Sequence, residues 1–375
     1  MNNKKAILIG AGKIGRGFIG QVLFDSGYDL VFVDTAKSLV DNINQYREYK
    51  VIVLGAQEQE YKIDNVRAYS PIDEKAVDEF VEADIVTTAV GPGIISKTAD
   101  YIARGITKRA ATKSEKPLTI IACENIEFGS TKLFESIKPL LNDQQMEYCK
   151  KYVAFPDAEV SRMVIPVEDT NPLTVKVEQY MEWLVDATHL TGDLTKIQGL
   201  TLTRNAVAYI KRKIYTLTGH AMLGYLGYEN GYKYIYQAVY DDSIFETVYK
   251  ALIESGKGWS MEYGESEEKF NEYITIMLRR FADVRLKDPC VRICKEPIRK
   301  LSQDERFIEP ALTALKHGIM PSGIITGIKS VLKFDYAEDE QAVELRKMIK
   351  ENGLSYILKK ICGLSEDDLL YKLIA

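Results

Sequence analysis

The chain has 375 residues, of which 46% are hydrophobic and 27% charged, and its formal net charge is −5. A chain of this length exceeds the usual size of one hydrophobic core, so we expect two domains. The weak negative charge provides no general basic field, which argues against nucleic acid or an anionic membrane surface as a partner.

The composition also indicates a reducing, aqueous environment. The chain enters an apolar run at once without the pattern of a secretion signal, and no apolar run approaches the about 20 residues of a membrane span. The five cysteines are odd in number and scattered, which suits reduced thiols better than disulfides. Cys290 and Cys294 lack a second ligand pair nearby, so no metal site is expected. We therefore expect a cytoplasmic protein.

The first half of the chain has the rhythm of a parallel sheet, in which apolar runs alternate with segments of helical pattern. The runs are "KAILI" (5–9), "LVFVD" (30–34), "DIVTTAV" (84–90) and "LTIIACEN" (118–125). Buried parallel strands have nearly continuous apolar sequences because helices cover both of their faces. Residues 1–195 are therefore predicted to form a Rossmann-type α/β domain.

After about residue 195, longer segments of helical period replace the strands. In "EEKFNEYITIMLRRF" (267–281), apolar residues recur at offsets 0, 4, 7, 8 and 11 from Phe270, which places them on one helix face. Residues 196–375 are therefore predicted to be a mostly α-helical substrate and catalytic domain. The polar stretch "LTGDLTKIQG" (190–199) marks the expected boundary.

A glycine-rich turn, "GAGKIGRGFIG" (10–20), stands between the first strand and the first helix. Its GxGxxG spacing supplies glycines for a tight turn, for approach of backbone to a pyrophosphate and for close packing of helix on strand. The helix N-terminus then offers free N–H groups to the phosphates. The motif predicts a dinucleotide site formed by Gly10, Gly12, Lys13, Ile14, Gly15 and Arg16.

The second strand ends in Asp34, whose carboxylate can accept hydrogen bonds from both ribose hydroxyls and would repel a 2′-phosphate. NAD is therefore favoured over NADP. The alternative is that Asp34 caps the helix after Thr35. Further along, "AVGPG" (89–93) follows another strand at the edge where such sheets bind ligands, so we expect Val90 and Gly91 near the nicotinamide half of the cofactor.

The extended turn "GAGKIGRGF" resembles that of the polyol-specific long-chain dehydrogenases. Five further segments match this family in the same order and spread the likeness over most of the chain. They are "ACENIEFGS" (122–130), "FPDAEVSRMVIP" (155–166), "VEQYMEWLVD" (177–186), "RKIYTLTGHAMLGYLG" (212–227) and "VRICKEPIRKLSQDERFIEP" (291–310).

The resemblance implies a two-domain, metal-independent enzyme that is favoured to be a monomer and acts on a small polyol or sugar phosphate. Within the family, it points to members that interconvert mannitol 1-phosphate and fructose 6-phosphate. The family's general base falls on Lys213, its oxyanion-stabilising amide on Asn125 and its substrate-orienting histidine on His220. The pair that grips the polyol hydroxyls falls on Arg292 and Lys300.

The chemistry requires these residue types. Hydride loss from a secondary alcohol requires removal of the hydroxyl proton, and a lysine serves as base near neutral pH only if its pKa falls from about 10.4. The run "KRK" (211–213) supplies like charges that act in that direction, and amide N–H groups stabilise the developing oxyanion. On the residues alone, a Lys and a His on one helix face are commonly surface groups. Asn125 could equally form an Asx turn or a helix N-cap.

The sequence departs from the family in the proton-handling helix. His220 follows Lys213 by seven residues instead of eight, and the asparagine that the family has five residues after the lysine is missing. At about 100° per residue, an offset of seven leaves two side chains only ~20° apart, so both should still share one face. Thr216 lies on the same side, and its hydroxyl is predicted to donate to the oxyanion, with Thr218 near the position of the missing amide.

Two further positions bear on the substrate. Ser161 precedes Arg162 where the family has an aspartate, at a place expected to face the substrate. Arg299, within "KEPIRK" (295–300), is predicted to bind a substrate phosphate, unless this segment is a solvated face before an N-cap at Ser302. Two alternatives stay open: a dehydrogenase of an unphosphorylated polyol or sugar acid, and a cofactor-binding protein with lost or weak catalysis.

Overall fold

The computed structural model describes residues 4–375. The chain forms two compact units, of which the first ends at Ile210 and the second runs from Lys211 to Ala375. The first is built on parallel strands and the second on helices, which confirms the predicted fold class. Within the described part of the chain, no helix is both long and apolar enough to cross a membrane.

The strands lie in the first unit. In chain order they are β1 (Lys4–Ile9), β2 (Tyr28–Val33), β3 (Glu48–Leu54), β4 (Glu58–Asp64), β5 (Arg67–Tyr69), β6 (Ile85–Thr88), β7 (Leu118–Ala122), β8 (Val153–Ala154), β9 (Ala158–Ser161), β10 (Val164–Ile165), β11 (Val175–Glu178), β12 (Glu182–Asp186) and β13 (Leu200–Thr203). Its helices are α1 (Gln21–Asp25), α2 (Lys37–Tyr46), α3 (Glu74–Val81), α4 (Ala99–Ala111), α5 (Gly129–Ile137) and α6 (Asp143–Tyr152).

The main sheet has the order β5-β2-β1-β6-β7-β8, and all its pairings are parallel. The order reverses beside β1, which is the switch point of a doubly wound fold. In β1, Ala6 and Leu8 pack into one core, whereas Ile7 and Ile9 pack into a second core on the other face. The strand is therefore apolar at successive positions because it is buried on both sides.

Two smaller sheets adjoin one face of the main sheet. One has the order β10-β11-β3-β4 and the other the order β13-β12-β9. Their inward side chains, among them Val51, Val175 and Trp183, share a core with Leu8. This face of the main sheet is thus covered by strands as well as by α1.

The second unit contains the longer helices. Helix α7 (Ala206–Glu229) begins before the division between the units, and the helices that follow are α8 (Ile235–Val239), α9 (Asp242–Tyr263), α10 (Glu267–Phe281), α11 (Cys290–Cys294), α12 (Pro297–Lys300), α13 (Ile308–Lys316), α14 (Ser322–Lys333), α15 (Glu340–Lys360) and α16 (Leu369–Ile374). Phe270 and its four apolar partners in α10 are buried, as the periodicity predicts. Helix α9 packs against α13 and α14, and Glu254 of α9 accepts the N–H groups of Gly323 and Ile324 at the start of α14.

Candidate active site

The three glycines of the turn after β1 meet different surroundings. Gly10 has φ = 97°, and a Cβ there would lie 2.5 Å from the carbonyl oxygen of Ala89. A Cβ on Gly15 would lie 2.1 Å from the carbonyl oxygen of Gly10. A Cβ on Gly12 would meet no atom within 4 Å. The fold therefore requires Gly10 and Gly15, whereas the space beside Gly12 is open to a ligand.

Asp34, just after β2, holds this turn in place. Its Oδ2 accepts the N–H of Ala11 at 2.7 Å, and its Oδ1 accepts the N–H of Ala36 at 2.8 Å. The second bond forms a local turn before α2, whose N-cap residue is Ala36, so Asp34 does not cap this helix as the alternative expects. The first bond joins β2 to the glycine turn. Because a carboxylate has about four acceptor sites, the half-buried Asp34 retains capacity for ribose hydroxyls.

The helix after the turn opens with a π-helical segment, Gly15–Gly20. Arg16 is buried there, with its Nε donating to the carbonyl of Leu173 at 3.1 Å and its Nη1 to the carbonyl of Ala11. Its own N–H donates to Gly12. Arg16 therefore supports the turn from the interior, which corrects its predicted role as a cofactor contact.

The other two helix-start residues lie at the surface of the turn. Lys13 is exposed and Ile14 is half-buried. Both positions are compatible with the predicted cofactor contact, in contrast to Arg16.

The motif "VSRM" supports the same helix. Nη1 of Arg162 donates to the carbonyl of Gly17 at 3.0 Å and to Oε1 of Gln21 at 2.8 Å. Burial lowers the pKa of Arg162 to about 10. Ser161 is half-buried and pairs in register with Glu182 across β9 and β12. The guanidinium of Arg162 therefore holds the scaffold, and the expectation that Ser161 faces the substrate stays a prediction.

Glu124, within "ACEN", is a buried carboxylate to which the sequence patterns gave no role. Its Oε1 accepts the hydroxyl of Thr88 at 2.9 Å and the N–H of Val90 at 2.8 Å, and its Oε2 accepts the N–H of Gly91 at 2.8 Å. Glu124 therefore fastens the loop after β6 to the loop after β7. It sets the position of the two residues predicted to lie near the nicotinamide.

Asn125 follows Glu124 and is exposed on the same loop. Helix α5 begins at Gly129, and its N-cap residue is Phe128, with φ = 52°. Asp157 satisfies the first turn of this helix by accepting the N–H of Thr131 at 3.0 Å. The N-cap alternative for Asn125 is therefore wrong, while its predicted catalytic role stays a prediction.

In the second unit, Lys213 is half-buried on α7, which is helical without interruption through His220. The neighbouring Lys211 forms a 3.0 Å ion pair with Glu309. The guanidinium of Arg212 lies 3.8 Å from the ring centroid of Tyr273. The "KRK" run therefore does not present a block of uncompensated charge, which weakens the like-charge argument made from sequence.

Both threonines near the missing asparagine are buried, and their protons are in use. The hydroxyl of Thr216 donates to the carbonyl of Arg212 at 2.9 Å. The hydroxyl of Thr218 donates to the carbonyl of Arg306 at 2.5 Å. Because a hydroxyl has one proton, neither can donate to an oxyanion in this arrangement. The predicted role of Thr216 is therefore corrected.

His220 is held by a carboxylate and an aromatic ring. Its Nε2 lies 3.7 Å from Oδ2 of Asp288, and its ring stacks on Phe281 with centroids 4.4 Å apart. Asp288 also accepts Nε and Nη2 of Arg292 at 2.6 and 2.5 Å. Burial lowers the pKa of His220 despite the opposing effect of Asp288, which favours the neutral imidazole. Asp288 lies just before α11, and the available sequence signal was its position four residues before Arg292.

Lys300 is buried near this group. Its Nζ donates to the carbonyl of Lys295 and lies 6.0 Å from the ring centroid of Tyr225. Burial, together with the charges of Arg306 and Arg299, lowers the pKa of Lys300 to about 7. This ammonium therefore exchanges its proton near neutral pH, unlike an ordinary lysine.

Arg299 and Arg306 share one carboxylate but differ in exposure. Arg299 has 43% of its side chain exposed and pairs with Glu296 at 2.8 Å and with Glu305. Arg306 has only 11% exposed, and its Nε donates to the other oxygen of Glu305 at 3.0 Å. Since two carboxylates already match the charge of Arg299, the structure argues against its predicted phosphate role. Arg306 lies in the segment "LSQDERF", which resembles the family, but the sequence alone indicated no role for it.

A Rossmann-type sheet with a glycine turn, followed by a helical unit that carries a lysine and a half-buried histidine, is an arrangement found in two-domain dehydrogenases. Family models identify the two parts: the mannitol dehydrogenase Rossmann domain matches residues 4–199, and the mannitol dehydrogenase C-terminal domain matches residues 205–370. The chain belongs to the mannitol dehydrogenase family. The resemblance found in the sequence is thereby confirmed at the level of the family.

Solved structures show the same fold. The chain is similar to Pseudomonas fluorescens mannitol 2-dehydrogenase, solved as a ternary complex with NAD and D-mannitol, at 16% identity and a TM-score of 0.69 over 96% of this chain and 87% of that one. It is also similar to D-sorbitol dehydrogenase in substrate-free form, at 17% identity and a TM-score of 0.72 over 91% and 82%. At these identities the likeness establishes the fold.

The glycine turn yields a matched pair of variants. Gly15→Ala should lower the thermal unfolding midpoint by several degrees, because overpacking costs about 1–3 kcal/mol. Gly12→Ala should leave the midpoint near that of the wild type but weaken NADH binding in a fluorescence titration, since its methyl group occupies the open space. Wild-type NADH affinity in Gly12→Ala would show that the cofactor does not approach this glycine.

The role of Glu124 can be tested with Glu124→Gln. The new amide NH₂ group would face backbone N–H donors, so we expect a stability loss of about 1–3 kcal/mol and weaker NADH binding from a displaced Val90–Gly91 loop. Thermal unfolding and NADH titration measure the two effects. Glu135→Gln, exposed on α5, is the matched control and should change neither. If both variants behave alike, Glu124 does not position the loop.

Proposed function

We propose that this protein is an NAD-dependent polyol dehydrogenase that interconverts D-mannitol 1-phosphate and D-fructose 6-phosphate, as a mannitol-1-phosphate 5-dehydrogenase does. Family membership supports the reaction class. The P. fluorescens relative was solved with NAD and a polyol, which supports the cofactor and the substrate type. Asp34, fixed on the glycine turn with acceptor sites to spare, favours NAD over NADP.

The observation that supports a phosphorylated substrate is the positive charge around His220. We call this group of side chains the His220 cluster; it consists of His220, Asp288, Arg292, Lys300, Glu305 and Arg306. Three cations of this cluster stand against two carboxylates, within a chain whose net charge is −5. Two of the cations, Lys300 and Arg306, are largely buried. The third cation, Arg292, keeps 60% of its side chain exposed, so the unmatched positive charge of the cluster is accessible to an anion, and a sugar phosphate supplies that anion.

Each residue of the candidate site has its own role in the proposed reaction. NAD supplies the acceptor or donor of the hydride. Lys213 takes the proton of the substrate hydroxyl during oxidation and returns it to the carbonyl oxygen during reduction. The Asn125 amide donates to the developing oxyanion. Because Asp288 faces Nε2 of His220, the proton of the neutral ring lies on Nε2, and Nδ1 accepts a hydrogen bond from a substrate hydroxyl.

A separate observation supports a second candidate function. Thr216 and Thr218 both donate to backbone carbonyls, so α7 offers no replacement for the family's asparagine amide. Loss of one well-placed oxyanion donor costs about 100- to 1000-fold in rate. This favours a cofactor-binding protein with weak catalysis over one with full activity. A dehydrogenase of sugar acids is a further alternative, because a carboxylate would also match the charge of the His220 cluster.

A substrate panel followed by NADH absorbance separates these candidates. We expect kcat/KM for fructose 6-phosphate to exceed that for fructose by at least about 10-fold, since a charge-assisted contact contributes about 1.5–3 kcal/mol. Equal values with and without the phosphate would exclude the phosphate-specific function. NADH binding without turnover of any panel member would favour the non-catalytic candidate, and turnover of sugar acids alone would favour the third.

The assignment of the base is tested by Lys213→Ala. We expect kcat to fall by at least about 100-fold, because a positioned acid or base contributes roughly 10²- to 10⁴-fold, while NADH affinity stays unchanged. The exposed Lys250→Ala on α9 is the matched control and should retain full activity. Unchanged turnover in Lys213→Ala would mean that another residue handles the proton.

The lowered pKa of Lys300 leads us to expect that the activity depends on pH. This pKa, about 7, means that the ammonium is present below pH 7 in the free enzyme and is lost as the pH rises through 7. Between pH 7 and 9, where the phosphate is already a dianion, we expect kcat/KM for fructose 6-phosphate reduction to decline. Lys300→Arg, which keeps its charge throughout this range, should flatten the decline. Identical profiles for the wild type and Lys300→Arg would contradict the assignment.

A further inference from the structure

Arg306 is a buried cation whose hydrogen-bonding capacity is only partly used. One of its five N–H groups, on Nε, donates to Glu305 at 3.0 Å. Within residues 4–375, Nη1 and Nη2 have no hydrogen-bond acceptor. Only 11% of the side chain is exposed, so the guanidinium side chain as a whole has lost most of its contact with water, while Nη1 and Nη2 have gained no protein partner among the described residues.

Arg306 lies near three side chains on which its charge acts. Its charge acts on the imidazole of His220 and on the ammonium of Lys300, and it lowers the pKa of each. It also acts on the hydroxyl of Tyr225, whose ring lies under Lys300. Together with the hydrogen bond from Thr218 to its backbone carbonyl, this places Arg306 in the same part of the second unit as the residues predicted to hold the substrate.

Two contacts fix Arg306 in this orientation. Thr218 donates to its backbone carbonyl at 2.5 Å, which ties residue 306 to α7 two residues before His220. Glu305 accepts Nε of Arg306 with one oxygen and Nη1 of Arg299 with the other. Since Glu305 divides its charge between two guanidinium groups, Arg306 keeps part of its positive charge for a ligand.

We infer that Arg306 binds the anionic group of the substrate, a phosphate monoester, through the N–H groups of Nη1 and Nη2. A guanidinium presents two parallel donors that match two phosphate oxygens, and the Lys300 ammonium supplies a second charge beside it. Arg306 takes the role predicted from sequence for Arg299, whose charge is already matched by two carboxylates. The inference rests on the proposed function in requiring a phosphorylated substrate.

The test uses the full-length protein with NADH and compares Arg306→Gln, Arg306→Lys and wild type. For Arg306→Gln we expect KM for fructose 6-phosphate to rise at least about 10-fold, the loss of one charge-assisted contact. KM for fructose should change less than about 2-fold on the same scale. Competitive inhibition by inorganic phosphate should weaken in parallel. Arg306→Lys should recover part of both losses, because it restores the charge without the paired donors. Arg279→Gln, exposed on α10, is the control for loss of an arginine charge.

The outcomes separate this inference from the proposed function. If wild type prefers fructose 6-phosphate and Arg306→Gln keeps that preference, the inference is overturned. If wild type shows no phosphate preference, the proposed function fails; inhibition by inorganic phosphate that depends on Arg306 would then still support an anion site, and inhibition independent of Arg306 would overturn it. A shift of preference to sugar acids that depends on Arg306 would keep the site and replace its ligand. If Arg306→Gln does not fold, Arg306→Lys decides by the same two measurements.

Discussion

The contact between the carbonyl of Gly10 and the α-carbon of Gly15 leaves no room for a side chain, and the geometry of the first unit depends on it. The approach brings the π-helical start of the first helix against β1, and charged groups then hold it from several directions. Arg16 and Arg162 donate to backbone carbonyls from the interior, and Asp34 accepts an N–H group from the edge of β2. These charged groups bond to the backbone, so contacts within the protein alone define the geometry of the glycine turn.

In the second unit, two carboxylates orient the charged side chains, and each of them contacts two groups. Asp288 lies between His220 and Arg292, and Glu305 lies between Arg299 and Arg306. Each carboxylate is thus divided between two groups of the opposite or potentially opposite charge. Pairs of this kind orient side chains in a largely dehydrated region while leaving net positive charge, which a single carboxylate for each cation would remove. The first unit in turn uses Glu124 to orient backbone N–H groups.

Much of the fold follows from local patterns. The apolar runs of β1, β2, β6 and β7, the glycine turn and the buried face of α10 were all predictable, because periodicity and glycine spacing report on short-range geometry. The hairpin β3–β4 and the strands β9 to β13 were not predicted. They form sheets whose partners come from distant parts of the sequence, as where β11 pairs with β3. Pairing between strands that are distant in sequence leaves little recognisable pattern in the sequence of either strand.

The candidate site, like the fold, was predictable only where the information is local in the sequence. Residue types at motif positions, such as Lys213 and His220, could be predicted, but the direction of each side chain could not. Arg16 turns inward, Arg299 meets two carboxylates and Thr216 bonds to its own helix, and each outcome depends on tertiary neighbours. Asp288 and Arg306 could not be predicted as part of the site because the contacts that place them there, with His220 and with Thr218, join residues far apart in sequence.

The hydrogen bond from Thr218 to the carbonyl of residue 306 joins positions 88 residues apart in sequence. A change in α7 therefore also alters the support of the loop that carries Arg306. An asparagine grafted from relatives onto position 218 would disturb that loop at the same time as it offered a new amide. The effects of substitutions in this part of α7 and in the loop should therefore depend on each other, because one hydrogen bond joins the two segments.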